Sequence, residues 1–467
     1  MPHMTATDPL ATADLQERAH RHLLMHFTRN GAYGPEGKPL LVLERGEGAY
    51  VFDTDGKRYF DGLSSLFCAQ IGYSFGEEMA AASAQQLTTL AFNTNWATAH
   101  PPAIKLAAAL AERAPGDLNR VFFTNGGSES VEAAWKIVRQ HYLAKGEPQR
   151  TKAIAREIAY HGVTLGALSF TGVRPMKEPF GPSPIPVVRV SNTNPFRHEL
   201  EHDPAAHCAQ LLEEMERTIV ETGPDTVAMI IAEPVQNAGG ALLPPEGYWA
   251  GLRALADRYG IALVADEVIT GFGRFGEWFA SSRYGPAPDV ITCAKGLTSA
   301  YAPMGAVIAS DKVADPFMDG KEMFAHGLTF GGHPMAAAIG LANLDIFERE
   351  DLCGHVLEKE DEFRGMLDDI KRDMPIVGDV RGAGYFHALE LVKDKDTKAS
   401  FSHEEAETLL RGYLSPALFE EGLICRTDDR GDPVIQLCPP LIADTEEFEE
   451  IDRILRTVLA GASERMS

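Results

Sequence analysis

Asp266-Glu267-Val268-Ile269-Thr270-Gly271-Phe272-Gly273-Arg274 follows an apolar run at 261–265, and Lys295-Gly296 follows a second such run at 290–294. Both runs are short, continuous and bounded by polar or turn residues, the pattern of strands buried on both faces. Upstream, 227–232 has the same character and runs into Glu233-Pro234. Between these strands Tyr248, Leu252, Leu255, Ala256 and Tyr259 recur at helical spacing, with Gly260 placed to cap the helix end. Strand, helix and strand in this order predict an α/β fold with a mostly parallel sheet covered by helices. Open parallel sheets bind ligands at the carboxyl ends of their strands. Glu233, Asp266 and Lys295 are therefore expected at one edge. One polar residue at a strand end is commonplace, but three on three strands mark a site.

Two glycine-rich stretches compete for attention. Thr124-Asn125-Gly126-Gly127-Ser128-Glu129 lies between an apolar strand at 121–124 and a helix marked by Val131, Ala134, Trp135, Val138 and Tyr142. Glycines let backbone approach a ligand and a helix start offers free N–H groups, which makes a phosphate cradle. The same residues also suit a tight turn with Ser128 as N-cap. The second stretch, Gly271-Phe272-Gly273-Arg274-Phe275-Gly276, matches the dinucleotide pattern G-x-G-x-x-G. That pattern requires a helix directly after it. Here Glu277-Trp278-Phe279 leads to Pro286 and Pro288, so nicotinamide binding is the weaker reading.

The rest of the chain sets bounds. Its 467 residues suit two domains, with 45 % hydrophobic and 24 % charged residues, as in an ordinary globular protein. A formal charge of −24, spread along the chain, repels nucleic acid and anionic membranes. Six scattered cysteines without a Cys-x-x-Cys pair fit a reducing compartment, and no apolar stretch resembles a signal peptide or a membrane span. A cytoplasmic protein is expected. The opening residues 1–10 show no periodicity. A helix is predicted over 15–27; His22 and His26 sit on it at i, i+4, but without a third ligand at fixed spacing they read as a polar face, and no metal is expected. Residues 49–52 and 57–60 flank Asp53-Thr54-Asp55-Gly56 as a β-hairpin. Loops are expected over 174–186 and 191–204. The pattern places a large domain at 76–334 and a smaller one built from 1–75 and 335–467.

The Asp266–Arg274 stretch with Lys295-Gly296 resembles the signature of the class III aminotransferases, fold type I pyridoxal-phosphate enzymes that include the ω-amino-acid and amine transaminases. The likeness extends through Asp61-Gly62 to Gly72-Tyr73, the loop from Phe123 to Glu132, Tyr160-His161-Gly162 and Thr329-Phe330-Gly331-Gly332-His333-Pro334, all in family order. The resemblance implies pyridoxal 5′-phosphate bound covalently to Lys295, whose freed amine moves the substrate proton. It implies that Asp266 keeps the ring nitrogen protonated, with Glu233 in support, and that Val268 and Tyr160 pack on the two ring faces. Gly127 and Ser128 hold the phosphate. Thr329 reaches the cofactor of a neighbouring subunit, which makes the protein a homodimer with shared sites. Arg426 aligns loosely with a substrate-carboxylate arginine, a task its bidentate fork suits, though a surface arginine is the other reading. Phe67 stands where many relatives carry tryptophan, leaving the substrate pocket aromatic but smaller. The implied reaction moves an amino group from an amine or ω-amino acid to a keto acid such as pyruvate. Aminomutases and decarboxylases of the same cofactor class share these motifs.

Overall fold

The computed structural model describes residues 11–34 and 37–466, so the opening stretch 1–10 lies outside the described residues. A seven-stranded sheet forms the centre: β1 (Leu118–Thr124), β2 (Lys152–Arg156), β3 (Val187–Val190), β4 (Val227–Ala232), β5 (Ala262–Asp266), β6 (Val290–Cys293) and β7 (Gly305–Ser310). Their order is β1-β7-β6-β5-β4-β2-β3. β2 to β6 pair in parallel, and β7 alone runs against both neighbours. β4, β5 and β6 are buried at every position because helices cover both faces of the sheet. Helix Gly127–Ala144 buries Val131, Ala134, Ile137, Val138 and Tyr142, one stripe at helical spacing. Helix Tyr248–Tyr259 ends on Gly260 in the left-handed conformation, φ 62°, as its C-cap.

Two smaller antiparallel sheets flank this centre. One joins Leu43–Glu47, Tyr50–Asp53 and Arg58–Asp61, and strand Leu423–Ile424 from the other end of the chain pairs in parallel with Arg58–Asp61. The other contains Val377–Ala383, Phe386–Leu391, Val434–Leu437 and Arg426–Asp428. The first helix spans Thr12–His22, shorter than its apolar pattern predicts, so His22 and His26 do not share a helical face. The hairpin strands sit one residue later than expected. β1 begins at Leu118, before the apolar run, because Asn119 and Arg120 face outward on an otherwise paired strand. The expected loop at 174–186 contains one helical turn, Arg174–Lys177, opened by Pro175, whose fixed φ suits a first helical turn.

The G-x-G-x-x-G stretch is not a nucleotide loop. No long helix follows it; the next helical segment is only Ser281–Tyr284. Its glycines serve packing instead. Gly273 (φ 78°) and Gly276 (φ 76°) lie where a Cβ would strike Leu441 and Leu357.

Arg381 fastens the second small sheet to the centre. Its Nε and Nη2 donate to the carbonyls of Gly240 and Gly239, just beyond β4, and its Nη1 lies 2.7 Å from Glu390 Oε2. Arg197 Nε takes the other Glu390 oxygen at 2.7 Å, and Glu390 is fully buried. Removing one partner of a buried ion pair leaves an uncompensated charge and costs about 3–5 kcal/mol. Arg381→Met is therefore expected to lower the thermal midpoint by several degrees at fixed cofactor and protein concentration. Removal of the exposed Arg349–Glu78 pair should leave it within about a degree.

Candidate active site

β4, β5 and β6 end side by side, with Ala232 opposite Ala265 and Asp266 opposite Thr292. Glu233, Asp266 and Lys295 consequently line one pocket, together with Gly127, Ser128, Tyr160 and Val268. A larger cavity of ≈ 340 Å³ lies between the first helix and the described residues 30–34 and 37–40; it shares none of the residues of the first pocket.

Asp266 is buried and held from three sides. Its Oδ2 is 2.7 Å from His161 Nδ1, and its Oδ1 accepts from Thr292 Oγ1 at 3.0 Å and from the Val268 N–H at 3.2 Å. A carboxylate can only accept, so His161 Nδ1 carries the proton of this bond. Neither His161 nor Thr292 was singled out for a role from sequence. The Tyr160-His161-Gly162 motif and the position of Thr292, on the neighbouring strand three residues before Lys295, are the signals that could have found them. Glu233 lies behind this group. Burial pushes its carboxyl up to about 7, against the pull of His161 and Arg156. Its backbone carbonyl accepts from Arg156 Nη2.

Lys295 opens a single helical turn with a left-handed backbone, φ 42°. Such a conformation is costly for a residue with a side chain and persists only where the surroundings enforce it. Gly296 shows what enforces it: a Cβ there would lie 2.5 Å from Gln70 Nε2 and 2.7 Å from the Phe272 Cβ. Burial lowers the pKa of the Lys295 amine, which favours its neutral, nucleophilic form.

Helix Gly127–Ala144 starts at the pocket, with Gly126 as its N-cap in place of the expected Ser128. Ser128 stands on the helix, and its Oγ accepts from the Val163 N–H at 3.1 Å, leaving its own proton to donate. Glu129 Oε2 accepts from both the backbone and side-chain nitrogens of Asn125, and Ser130 Oγ donates to the Gly126 and Cys293 carbonyls. The loop is thus braced from beneath, while a Cβ on Gly126 would meet nothing within 4 Å. Free N–H groups at a helix start, a hydroxyl, an amine and a carboxylate together fit a phosphorylated pyridine aldehyde.

Phe67 is buried against Phe386, ring centres 5.4 Å apart. Lys295 Nζ and the Arg426 guanidinium approach this same ring, at 6.0 and 5.9 Å from its centre. Arg426 therefore stands near the site and is no ordinary surface arginine; burial, reinforced by Arg430, pulls its pKa down to about 10. Arg430 lies 5.8 Å from the Tyr160 ring centre. Thr329 is exposed and takes no part in the lining of its own chain's pocket.

The raised Glu233 carboxyl has a consequence for stability. Its folded pKa of about 7 lies above the ordinary carboxyl value of 4.5, so the folded state binds the proton more tightly. Stability is then full below pH 4.5 and falls as pH rises towards 7, by on the order of 3 kcal/mol. Cofactor-free Glu233→Gln should lack this decline, and its thermal midpoint relative to the parent should rise between pH 5 and 7.5. A parallel pH profile for the two proteins would contradict the assignment.

Comparison with known proteins agrees with this geometry. Residues 32–459 match the family Aminotransferase class-III. The chain is 51 % identical to a probable aminotransferase of Mycobacterium tuberculosis, over 98 % of this chain and 97 % of that one. It is 37 % identical to the putrescine–pyruvate aminotransferase of Pseudomonas aeruginosa, over 96 % of each. The solved (S)-enantioselective ω-transaminase of Thermomicrobium roseum superposes with a TM-score of 0.92 at 39 % identity, covering 97 % of this chain and 100 % of that one. A phosphate-ready helix start, a buried lysine and a braced aspartate on a fold type I scaffold thus have their explanation: the chain belongs to the class III aminotransferases, with pyridoxal 5′-phosphate as cofactor.

Proposed function

We propose that this aminotransferase moves an amino group from an amine or ω-amino acid to a keto acid such as pyruvate, as a homodimer with shared active sites. The observation that carries the reading is the pairing of an amine with an anion anchor across one aromatic ring: Lys295 and Arg426 both face Phe67. An apolar amine packs on Phe67 and Tyr160, and the acceptor's carboxylate pairs with Arg426. The Pseudomonas aeruginosa relative, named for putrescine and pyruvate, fits the same division.

Bound pyridoxal phosphate supplies a carbonyl carbon that can carry the amino group and a ring that accepts electrons. Lys295 would hold it and move the proton at the substrate carbon; burial lowers the pKa of its amine, which favours the neutral form. Asp266, fixed by His161 and Thr292, keeps the ring nitrogen protonated, with Glu233 behind it. Tyr160 and Val268 confine the two ring faces, and Gly127 and Ser128 bind the phosphate at the helix start. Thr329, outside its own pocket, completes the phosphate site of the neighbouring subunit. We also propose that 76–334 form the cofactor-holding domain, and that 1–75 and 335–467 build the smaller one. The pairing of Leu423–Ile424 with Arg58–Asp61 supports that division. Among the described residues no helix is long and apolar enough to cross a membrane. All six cysteines are free, in keeping with a cytoplasmic enzyme.

The visible band of the purified protein should vanish when 1-phenylethylamine or β-alanine is added and return with pyruvate, with no carbon dioxide released. Persistence of the band with every amine and ω-amino acid tried would overturn the donor assignment. Loss of the band that pyruvate and other keto acids fail to reverse would overturn the acceptor. Lys295→Ala should lower turnover about a thousandfold or more. Arg426→Ala should raise the KM for pyruvate about tenfold or more, and an unchanged KM would remove Arg426 from the acceptor site.

A further inference from the structure

Arg426 and Asp428 are alternate residues of one short strand, so their side chains leave the same face of the sheet. An arginine and an aspartate so placed, both largely withdrawn from water, are natural partners. They are not paired. Asp428 is taken by Arg430: the Arg430 Nε lies 2.9 and 2.8 Å from the two carboxylate oxygens, its Nη2 donates to Oδ2, and its backbone N–H donates to Oδ1 at 3.2 Å. The Asp428 side chain is 5 % exposed and that of Arg430 13 %. Burial works to raise the Asp428 carboxyl, yet Arg430, with a smaller contribution from Arg426, holds it below the ordinary range. Among the described residues Arg426 has no hydrogen-bonded or ion-paired carboxylate; its guanidinium lies over the face of Phe67, 5.9 Å from the ring centre. The bidentate fork that would cancel its charge is occupied elsewhere.

We propose that Arg430 is a positioning residue for the keto-acid half of the reaction: by occupying Asp428 it keeps Arg426 uncommitted and available to the acceptor's carboxylate. The inference rests on the reading of Arg426 as that anchor. Asp428 offsets part of the Arg430 charge felt at Arg426. Without Arg430, Asp428 turns to Arg426, and an acceptor must displace an internal carboxylate before it can bind. Acceptors with no carboxylate do not use Arg426 and are indifferent to the change.

Kinetics of the holoenzyme test this. Arg430→Gln should raise the KM for pyruvate about tenfold, the cost of one charge-assisted contact, with kcat nearly unchanged. The KM for benzaldehyde and the rate of the half-reaction with 1-phenylethylamine should stay at wild-type values, which shows that the site is still folded. The double variant Asp428→Asn/Arg430→Gln removes the competing carboxylate and should return the pyruvate KM to within about threefold of wild type. An unchanged pyruvate KM in the single variant, or a double variant as impaired as the single one, would overturn the proposal. If Arg426→Ala leaves the pyruvate KM unaltered, the anchor reading fails instead, whatever Arg430→Gln does.

Discussion

Two adjacent carboxylates, Asp266 and Glu267, are carried into the interior at the end of β5, and the site is organised by the need to satisfy them. A buried charge is tolerated only when it is paired or hydrogen-bonded. The two point opposite ways, as successive residues of a strand do. Asp266 faces the pocket, where His161, Thr292 and the Val268 N–H hold it. Glu267 faces away. Its oxygens accept from Thr270 Oγ1 and from the N–H groups of Ala280 and Ser281, which fastens the whole turn from 270 to 281. That turn carries Phe272 against Gly296. One carboxylate thus faces the pocket, and its neighbour fixes the loop that packs against Gly296, the residue after Lys295.

What could be read in the sequence follows from burial on two faces. β4 begins and ends where its apolar run does and β6 stops one residue short of its own, since no position on them meets water. β1 extends beyond its run because a partly exposed strand mixes polar and apolar residues. β7, the antiparallel strand, resembles the parallel strands in composition, and nothing local states its direction. Glu233 and Lys295 follow strand ends and Gly127 and Ser128 open a helix, positions that spacing reveals; Tyr160 and Val268, which line the same pocket, are legible only through the family resemblance. His161, Thr292 and Arg156 take their places through contacts between distant segments, and the Asp428–Arg430 pair through a local contact beside Arg426. Composition and periodicity carry no trace of such contacts.

The charges around the site are arranged by sequestration as much as by proximity. Glu233 sits near two basic groups and still has a raised pKa, because burial outweighs both. Asp428 is as deeply placed and has a lowered pKa, because a bidentate partner outweighs burial. The same residue chemistry gives opposite outcomes according to whether a guanidinium fork closes on the carboxylate. Arg426 is the complement of this arrangement, a cation near the reaction site with its natural counter-ion already occupied.

The parallel pairing of Leu423–Ile424 with Arg58–Asp61 joins the first and last portions of the chain in one sheet. A ribosome delivers the N-terminal hairpin long before the strand that completes it. Until then Arg58–Asp61 has an unpaired edge, a surface prone to association with other chains. Arg426 emerges just after the closing strand. The central sheet with its lysine can therefore assemble while the growing chain still lacks Arg426, which arrives with the strand that seals the exposed edge.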